Sequence, residues 1–155
     1  MKRAFASVLV SVQFILLAAL VFVPRGSLWP VTGLAIAVGL VLILVGTSLA
    51  IFGVTGLGTA LTASPVPRQH AALVTTGAYA MVRHPIYTGL MMGGLGLAVL
   101  GSSLWHAATW VALVILLATK TRWEERMLLA EHSEYRHYAA RIGRFMPGIG
   151  RVGRR

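Results

Sequence analysis

Four stretches without a charged side chain decide what this chain can become. Residues 4–23, 29–54, 86–101 and 104–119 contain no Asp, Glu, Lys or Arg. A helix of about 20 apolar residues matches the hydrocarbon thickness of a bilayer, where an exposed backbone is tolerated only as helix or closed barrel. The first two runs meet that length and predict spanning helices. The last two have 16 residues each and are joined by Gly101-Ser102-Ser103, which predicts a short helical hairpin. Only 12% of the residues are charged, against about 25% in soluble domains. The expected fold is all-α: a polytopic membrane protein of about four transmembrane helices, the hairpin included, followed by a C-terminal amphipathic helix.

Lys2 and Arg3 before the first run suit the start of a signal peptide. The run is longer than a usual signal core, however, and no A-x-A site follows it. It reads as a retained helix that Pro24-Arg25-Gly26 ends. Trp29 and Pro30 suit an interfacial start to the second run. Residues 55–83 are too polar and too broken to span. Pro65 and Pro67 oppose regular helix there, and Leu73-Val74-Thr75-Thr76-Gly77-Ala78-Tyr79 reads as a turn or short loop approaching the membrane surface. In the third run Gly89, Gly93 and Gly96 leave one face nearly bare, which permits close helix contact. From Lys120 onward Trp123, Met127, Leu128, Tyr135, Tyr138 and Ile142 recur at helical spacing among Arg122, Arg126, Arg136 and His137. That pattern predicts an amphipathic helix lying along or just beneath the membrane.

Net charge is +10, from 14 basic and 4 acidic side chains. In a soluble protein this would point to nucleic acid. Beside apolar spans, basic residues instead set orientation and attract anionic lipid, so membrane lipids are expected partners and nucleic acid is not. With a cytoplasmic N-terminus, four spans return the C-terminus to the cytoplasm, and Arg25 is then the one basic residue of 14 outside. All four glutamates and every histidine except His106 share the inner side. The expected location is the plasma or inner membrane, with both termini cytoplasmic. There is no Cys, Asp or Asn, which excludes disulfides, thiolate metal sites and N-glycosylation. No His-Glu-x-x-His and no phosphate loop occurs, and no metal site is expected. Gly56-Leu57-Gly58 follows a membrane helix and not a strand, so it makes no dinucleotide fingerprint.

Chemistry concentrates in two segments. In Arg83-His84-Pro85-Ile86-Tyr87, Pro85 suits the first turn of a helix, which sets Arg83 and His84 at the membrane boundary beside free backbone N–H groups. The segment serves equally as a basic interfacial anchor or as part of a binding site. In Arg122-Trp123-Glu124-Glu125-Arg126, adjacent carboxylates at a helix end are costly unless paired or solvated. Arg122 or Arg126 can pair with them, or they can accept hydrogen bonds from a polar ligand.

The ordered set Leu73 to Tyr79, Arg83-His84-Pro85-Ile86-Tyr87-Thr88-Gly89, Glu124-Glu125, Tyr135-x-x-Tyr138-x-x-Arg141 and Pro147 resembles the isoprenylcysteine carboxyl methyltransferase family and its wider group, which includes phospholipid N-methyltransferases. The resemblance runs from about Leu57 to Pro147. It implies an integral membrane methyltransferase using S-adenosylmethionine, with cofactor contacts at Val74, Thr75, Gly77, Tyr79, His84, Pro85, Tyr87, Glu124 and Glu125. It implies Arg141 near the acceptor, with Tyr138 one turn before it, as catalytic residues. The acceptor implied is a lipophilic molecule from the bilayer. On this reading residues 1–54 are two N-terminal spans, 55–147 a catalytic core and 148–155 a basic tail. The chain departs from the family in lacking the extra N-terminal helices of eukaryotic members, and in carrying His132-Ser133 where Phe-Gly is frequent.

Methyl transfer chiefly demands positioning. A carboxylate acceptor is already ionised near neutral pH and asks for a cationic fork such as arginine. An amine acceptor must first lose a proton, to His84 or a glutamate. Two other classes fit less of the sequence. Membrane sterol reductases, which use NADPH, share a similar C-terminal pattern but are far larger. A non-enzymatic lipid-binding subunit accounts for the charge distribution alone.

Overall fold

The computed structural model describes residues 2–58 and 73–153. Every regular element among them is helical: α1 (Lys2–Phe22), α2 (Gly33–Leu57), a 3-10 turn (Gly77–Ala80), α3 (Pro85–Gly101), α4 (Leu104–Glu131) and α5 (Tyr135–Arg141). The all-α expectation holds. The expected prolines Pro65 and Pro67, with Arg68, Gln69 and His70, lie outside the described residues, as do Arg154 and Arg155 of the tail.

Each of the four apolar runs becomes a helix. Two of these, α2 and α4, are long and apolar enough to cross a bilayer, whereas α3 and the apolar part of α1 are shorter. Only 11% of the most apolar stretch of α2 is buried, so Leu34, Leu40, Leu44, Ile51 and Phe52 project outward. Water penalises such a surface and lipid does not. A small core of Leu20, Ala98, Leu113 and Leu117 joins α1, α3 and α4, with Tyr87 and Trp110 packed against it.

One boundary differs from expectation. The fourth run does not give way to a separate surface helix at Lys120. Helix α4 continues for 28 residues through Lys120, Glu124 and Glu125 to Glu131. Lys120 and Glu125 are both buried by partners on other elements, so nothing forces the chain out of the bundle there. The remainder of the expected amphipathic helix is α5, only seven residues long. Its turn-back at residues 132–134 lets Tyr135, Tyr138 and Ala139 bury against Leu73, Leu128, Ile142 and Val152.

The closest helix contact is between α2 and α3. Gly39, Gly46 and Gly53 recur two turns apart on α2 and are its buried residues. Gly39 and Gly46 face Gly96 and Gly89 of α3, and Gly53 faces Pro85 and Ile86. A Cβ at Gly46 would stand 2.6 Å from the Gly89 carbonyl oxygen, and one at Gly96 would stand 2.5 Å from the Gly39 carbonyl oxygen. The backbones therefore pack directly, as small residues allow in membranes. Gly93, expected on the same bare face, has open space where a side chain would point. At the far end of the bundle Ser102 adopts a left-handed conformation (φ 45°). Its hydroxyl accepts from the Trp29 N–H and donates to the Trp29 carbonyl, stapling the α1–α2 connection to the α3–α4 turn.

Substituting Gly46→Leu or Gly89→Val should separate α2 from α3 and cost ~1–3 kcal/mol, as overpacking does in other well-filled cores. Gly93→Ala should melt close to wild type. Circular-dichroism melts in detergent measure this, and a wild-type melting point for Gly46→Leu would overturn the packing account.

Candidate active site at the Glu125 cluster

The site forms where α3 begins and α4 nears its end. Pro85 occupies the first turn of α3 and fixes the chain direction there. This leaves Arg83 and His84 just before the helix, both buried. Their own backbone N–H groups are both taken. Arg83 N–H donates to the Gly143 carbonyl and His84 N–H to the Arg144 carbonyl, at 2.9 and 3.2 Å. The segment after α5 thus returns to lie beside the Arg-His-Pro strand of chain.

Glu125 is the centre of the cluster. Its Oε1 accepts from Arg83 Nε at 2.9 Å and Nη2 at 2.7 Å, and lies 3.3 Å from His84 Nε2. Its Oε2 accepts from Arg144 Nε at 3.1 Å and Nη2 at 2.6 Å. Two planar forks therefore saturate one carboxylate. The remaining Arg83 donors reach backbone carbonyls of Ala139, Ile142 and Gly150, so one guanidinium holds the whole segment that follows α4. Neither Arg122 nor Arg126, the neighbours expected to pair with the glutamates, forms an ion pair among the described residues.

Glu124 behaves differently. Tyr87 donates its hydroxyl to Oε1 at 2.5 Å, and Oε2 lies 3.7 Å from His84 Nδ1. Among the described residues Oε2 makes no hydrogen bond, which leaves acceptor capacity at the site. His84 thus stands between both glutamates, with its ring parallel to that of Tyr87 at 5.7 Å and tilted to Phe145. Burial holds the His84 imidazole below its ordinary pKa, more strongly than the contact with Glu125 raises it. The ring is therefore neutral in the folded protein at neutral pH.

The other expected site residues fall into three groups. The Tyr79 hydroxyl donates to the Gly53 carbonyl of α2 at 3.3 Å, and the Tyr79 carbonyl accepts from the Tyr138 hydroxyl at 2.6 Å. Tyr79 and Tyr138 thereby brace the loop before the site, and burial pushes the Tyr138 phenol up to about 12. Val74 is half-buried, while Thr75 and Gly77 are exposed, Gly77 in a left-handed turn. Arg141 is exposed and lines a shallow recess with Ala140, Arg151, Val152 and Gly153, none of which belongs to the Glu125 cluster. The structure adds Arg83 and Arg144 as the partners of Glu125. It also adds Lys120, whose Nζ donates to Gln13 on α1 and lies over the Tyr87 ring.

A family profile described as phospholipid methyltransferase matches residues 34–134, which include α2, the Arg-His-Pro segment and both central glutamates. The chain belongs to the phospholipid methyltransferase family. Helix α1 and the segment carrying Arg144 lie outside the residues that match this family of membrane methyltransferases. The chain is also similar to two bacterial proteins. One is the cobalt-zinc-cadmium resistance protein CzcN of Cupriavidus metallidurans, 35% identical over 83 residues. The other is the nickel-cobalt-cadmium resistance protein NccN of Alcaligenes xylosoxydans xylosoxydans, 34% identical over 83 residues. Each match covers 53% of this chain but 38% and 39% of those proteins, so the matched stretch spans under two-fifths of either relative.

Glu125→Ala should cost ~3–5 kcal/mol, the range for removing one partner of a buried ion pair, because Arg83 and Arg144 lose their shared carboxylate. Glu131→Ala on the exposed side of α4 should stay within about 0.5 kcal/mol of wild type. Denaturant or thermal unfolding in detergent distinguishes them. His84 adds a pH dependence. Its folded pKa lies below the unfolded value of 6.5, so the unfolded chain binds the proton first as pH falls. The His84 contribution to stability should therefore be lost as pH drops below about 6.5, read as the difference between wild-type and His84→Gln melts run from pH 8 to 5.

Proposed function

We propose that this protein is an S-adenosylmethionine-dependent methyltransferase acting at the bilayer boundary on a lipophilic acceptor, foremost a lipid carboxylate of the isoprenylcysteine kind. The observation that carries the reading is His84 standing between Glu124 and Glu125. Segments 41 residues apart in sequence close on one polar site at the end of an apolar bundle. Family membership supplies the reaction class.

The donor set suits this co-substrate. Its amino and ribose hydroxyl groups need acceptors, and Glu124 Oε2 has capacity left. Its flat base needs apolar or aromatic walls, and His84, Tyr87 and Phe145 offer ring faces. We assign these contacts to Glu124, His84, Pro85 and Tyr87, with Tyr79, Val74, Thr75 and Gly77 on the loop side. Glu125 contributes by fixing Arg83 and His84, since both its oxygens are taken. S-adenosylmethionine supplies an electrophilic methyl whose C–S bond breaks toward sulfur as the acceptor's bond to carbon forms. The chain's part is to hold the two reactants in line and exclude water. A carboxylate acceptor needs no base, and Arg141, exposed on α5, offers it a planar fork. Tyr138 then acts through the Tyr79 carbonyl.

An amine acceptor is the second reading, and the neutral state of His84 favours it, because an uncharged imidazole can take the proton an amine must lose. In either case α1 to α4 all cross the membrane and the cluster faces the cytoplasm, in keeping with the positive-inside rule.

Purified protein in detergent should bind S-adenosylhomocysteine saturably. Glu124→Gln and His84→Ala should weaken that binding roughly tenfold or more, as expected for hydrogen bonds to charged groups worth about 1.5–3 kcal/mol. Membranes incubated with methyl-labelled S-adenosylmethionine should yield a labelled lipid. Label released as methanol by mild base marks a carboxyl ester, and base-stable label marks an amine. Absence of nucleoside binding to folded wild-type protein would sink the proposal.

A further inference from the structure

Lys120 is a buried amine with no carboxylate within ion-pair distance among the described residues, although Glu124, one turn on, acts on it through space. It is 3% exposed and lies on α4 one turn before Glu124. Its Nζ donates to Gln13 Oε1 at 2.8 Å and stands 4.9 Å from the centre of the Tyr87 ring. An ammonium has three donors, and Gln13 accepts from one. Among the described residues no carboxylate closes on it as an ion pair. Glu125 is saturated by Arg83 and Arg144, and Oε1 of Glu124 accepts from Tyr87. Ionisable side chains at membrane depth are costly and are ordinarily paired. For mere adhesion between α1 and α4 an apolar pair would serve as well or better.

The geometry points to Lys120 as the seat for a ligand's carboxylate: Gln13 and the Tyr87 ring hold the ammonium in place, and Glu124, at i+4 on the same helix face, takes the ligand's amino or hydroxyl group. The inference rests on the methyltransferase reading and deepens it. Two ligands can bring a carboxylate to this site, the amino-acid end of S-adenosylmethionine or a lipid-acid acceptor. Gln13 belongs to α1, which precedes the family-matched residues 34–134, so this chain's first helix completes a site that the matched core only begins.

The test compares acid and acid-free ligands on wild type, Lys120→Met and Lys120→Arg, purified in detergent and matched by melting temperature. One pair of probes is S-adenosylhomocysteine and methylthioadenosine, which lacks the amino-acid end. The other is N-acetyl-S-farnesylcysteine and its methyl ester. Lys120→Met should weaken the acid member of one pair roughly tenfold or more, the cost of a lost charge-assisted bond, and leave its acid-free partner unchanged. Lys120→Arg should restore much of the loss. Selectivity in the nucleoside pair assigns the carboxylate to the co-substrate, and selectivity in the farnesyl pair assigns it to the acceptor. Should Lys120→Met fail to fold, Gln13→Met, which unseats the ammonium, must show the same selectivity in weaker form. Equal loss on acid and acid-free ligands, or no loss on any, overturns the role of Lys120. Wild-type protein that binds neither nucleoside overturns the methyltransferase reading itself, and this role with it.

Discussion

A carboxylate withdrawn from water must find compensation within hydrogen-bonding reach, and Glu125 finds it from three directions. Arg83 approaches from the chain before α3, Arg144 from the segment after α5, and His84 from between the two glutamates. Excess positive charge at this point gives the arrangement a direction. Two arginines consume one glutamate completely, so the neighbouring Glu124 is left with a phenol and a neutral imidazole beside it and Lys120 one turn back. The same double-glutamate motif thus splits into a structural half and a half with capacity for a ligand.

The apolar part of the molecule prepares this meeting without touching it. Direct backbone contact along Gly39, Gly46 and Gly53 sets α3 against α2 and so fixes where Pro85 begins. The Ser102 staple at the opposite end fixes how α3 turns into α4. Because α4 is one uninterrupted helix from that turn to Glu131, Lys120, Glu124 and Glu125 are placed at successive depths by a single rigid rod. Polar groups accumulate along it toward one end, beginning with Lys120 against α1 and finishing at the arginine forks.

Much of this was legible along the chain. Uncharged runs announced the helices, Pro85 announced the start of α3, and the rarity of acids in so basic a chain singled out Glu124 and Glu125. What escaped were partnerships across long sequence separations. Lys120 reads as the end of a span because its partner, Gln13, is 107 residues away. Arg122 and Arg126 look like the natural partners of Glu125 because they are adjacent, yet the fold supplies Arg83 and Arg144. A lone arginine in a Gly-rich stretch gives no periodic or motif signal. The glycines of α2, spaced by seven, did carry a signal, but it gains meaning only against the matching pair on α3. Arg141, singled out by resemblance, sits on an exposed face that only the fold-back of α5 determines.

Polypeptides are made in one direction, and the clasp around Arg83 spans a long interval of that process. Arg83 leaves the ribosome 42 residues ahead of Glu125 and 67 ahead of Gly150, whose carbonyl it also holds. Until Glu125 is made it is a bare guanidinium, too costly to enter hydrocarbon, which keeps its segment in water while the helix that follows it is completed. A chain interrupted before Glu125 would present an uncompensated cation at the membrane surface, a physical mark by which unfinished molecules differ from finished ones.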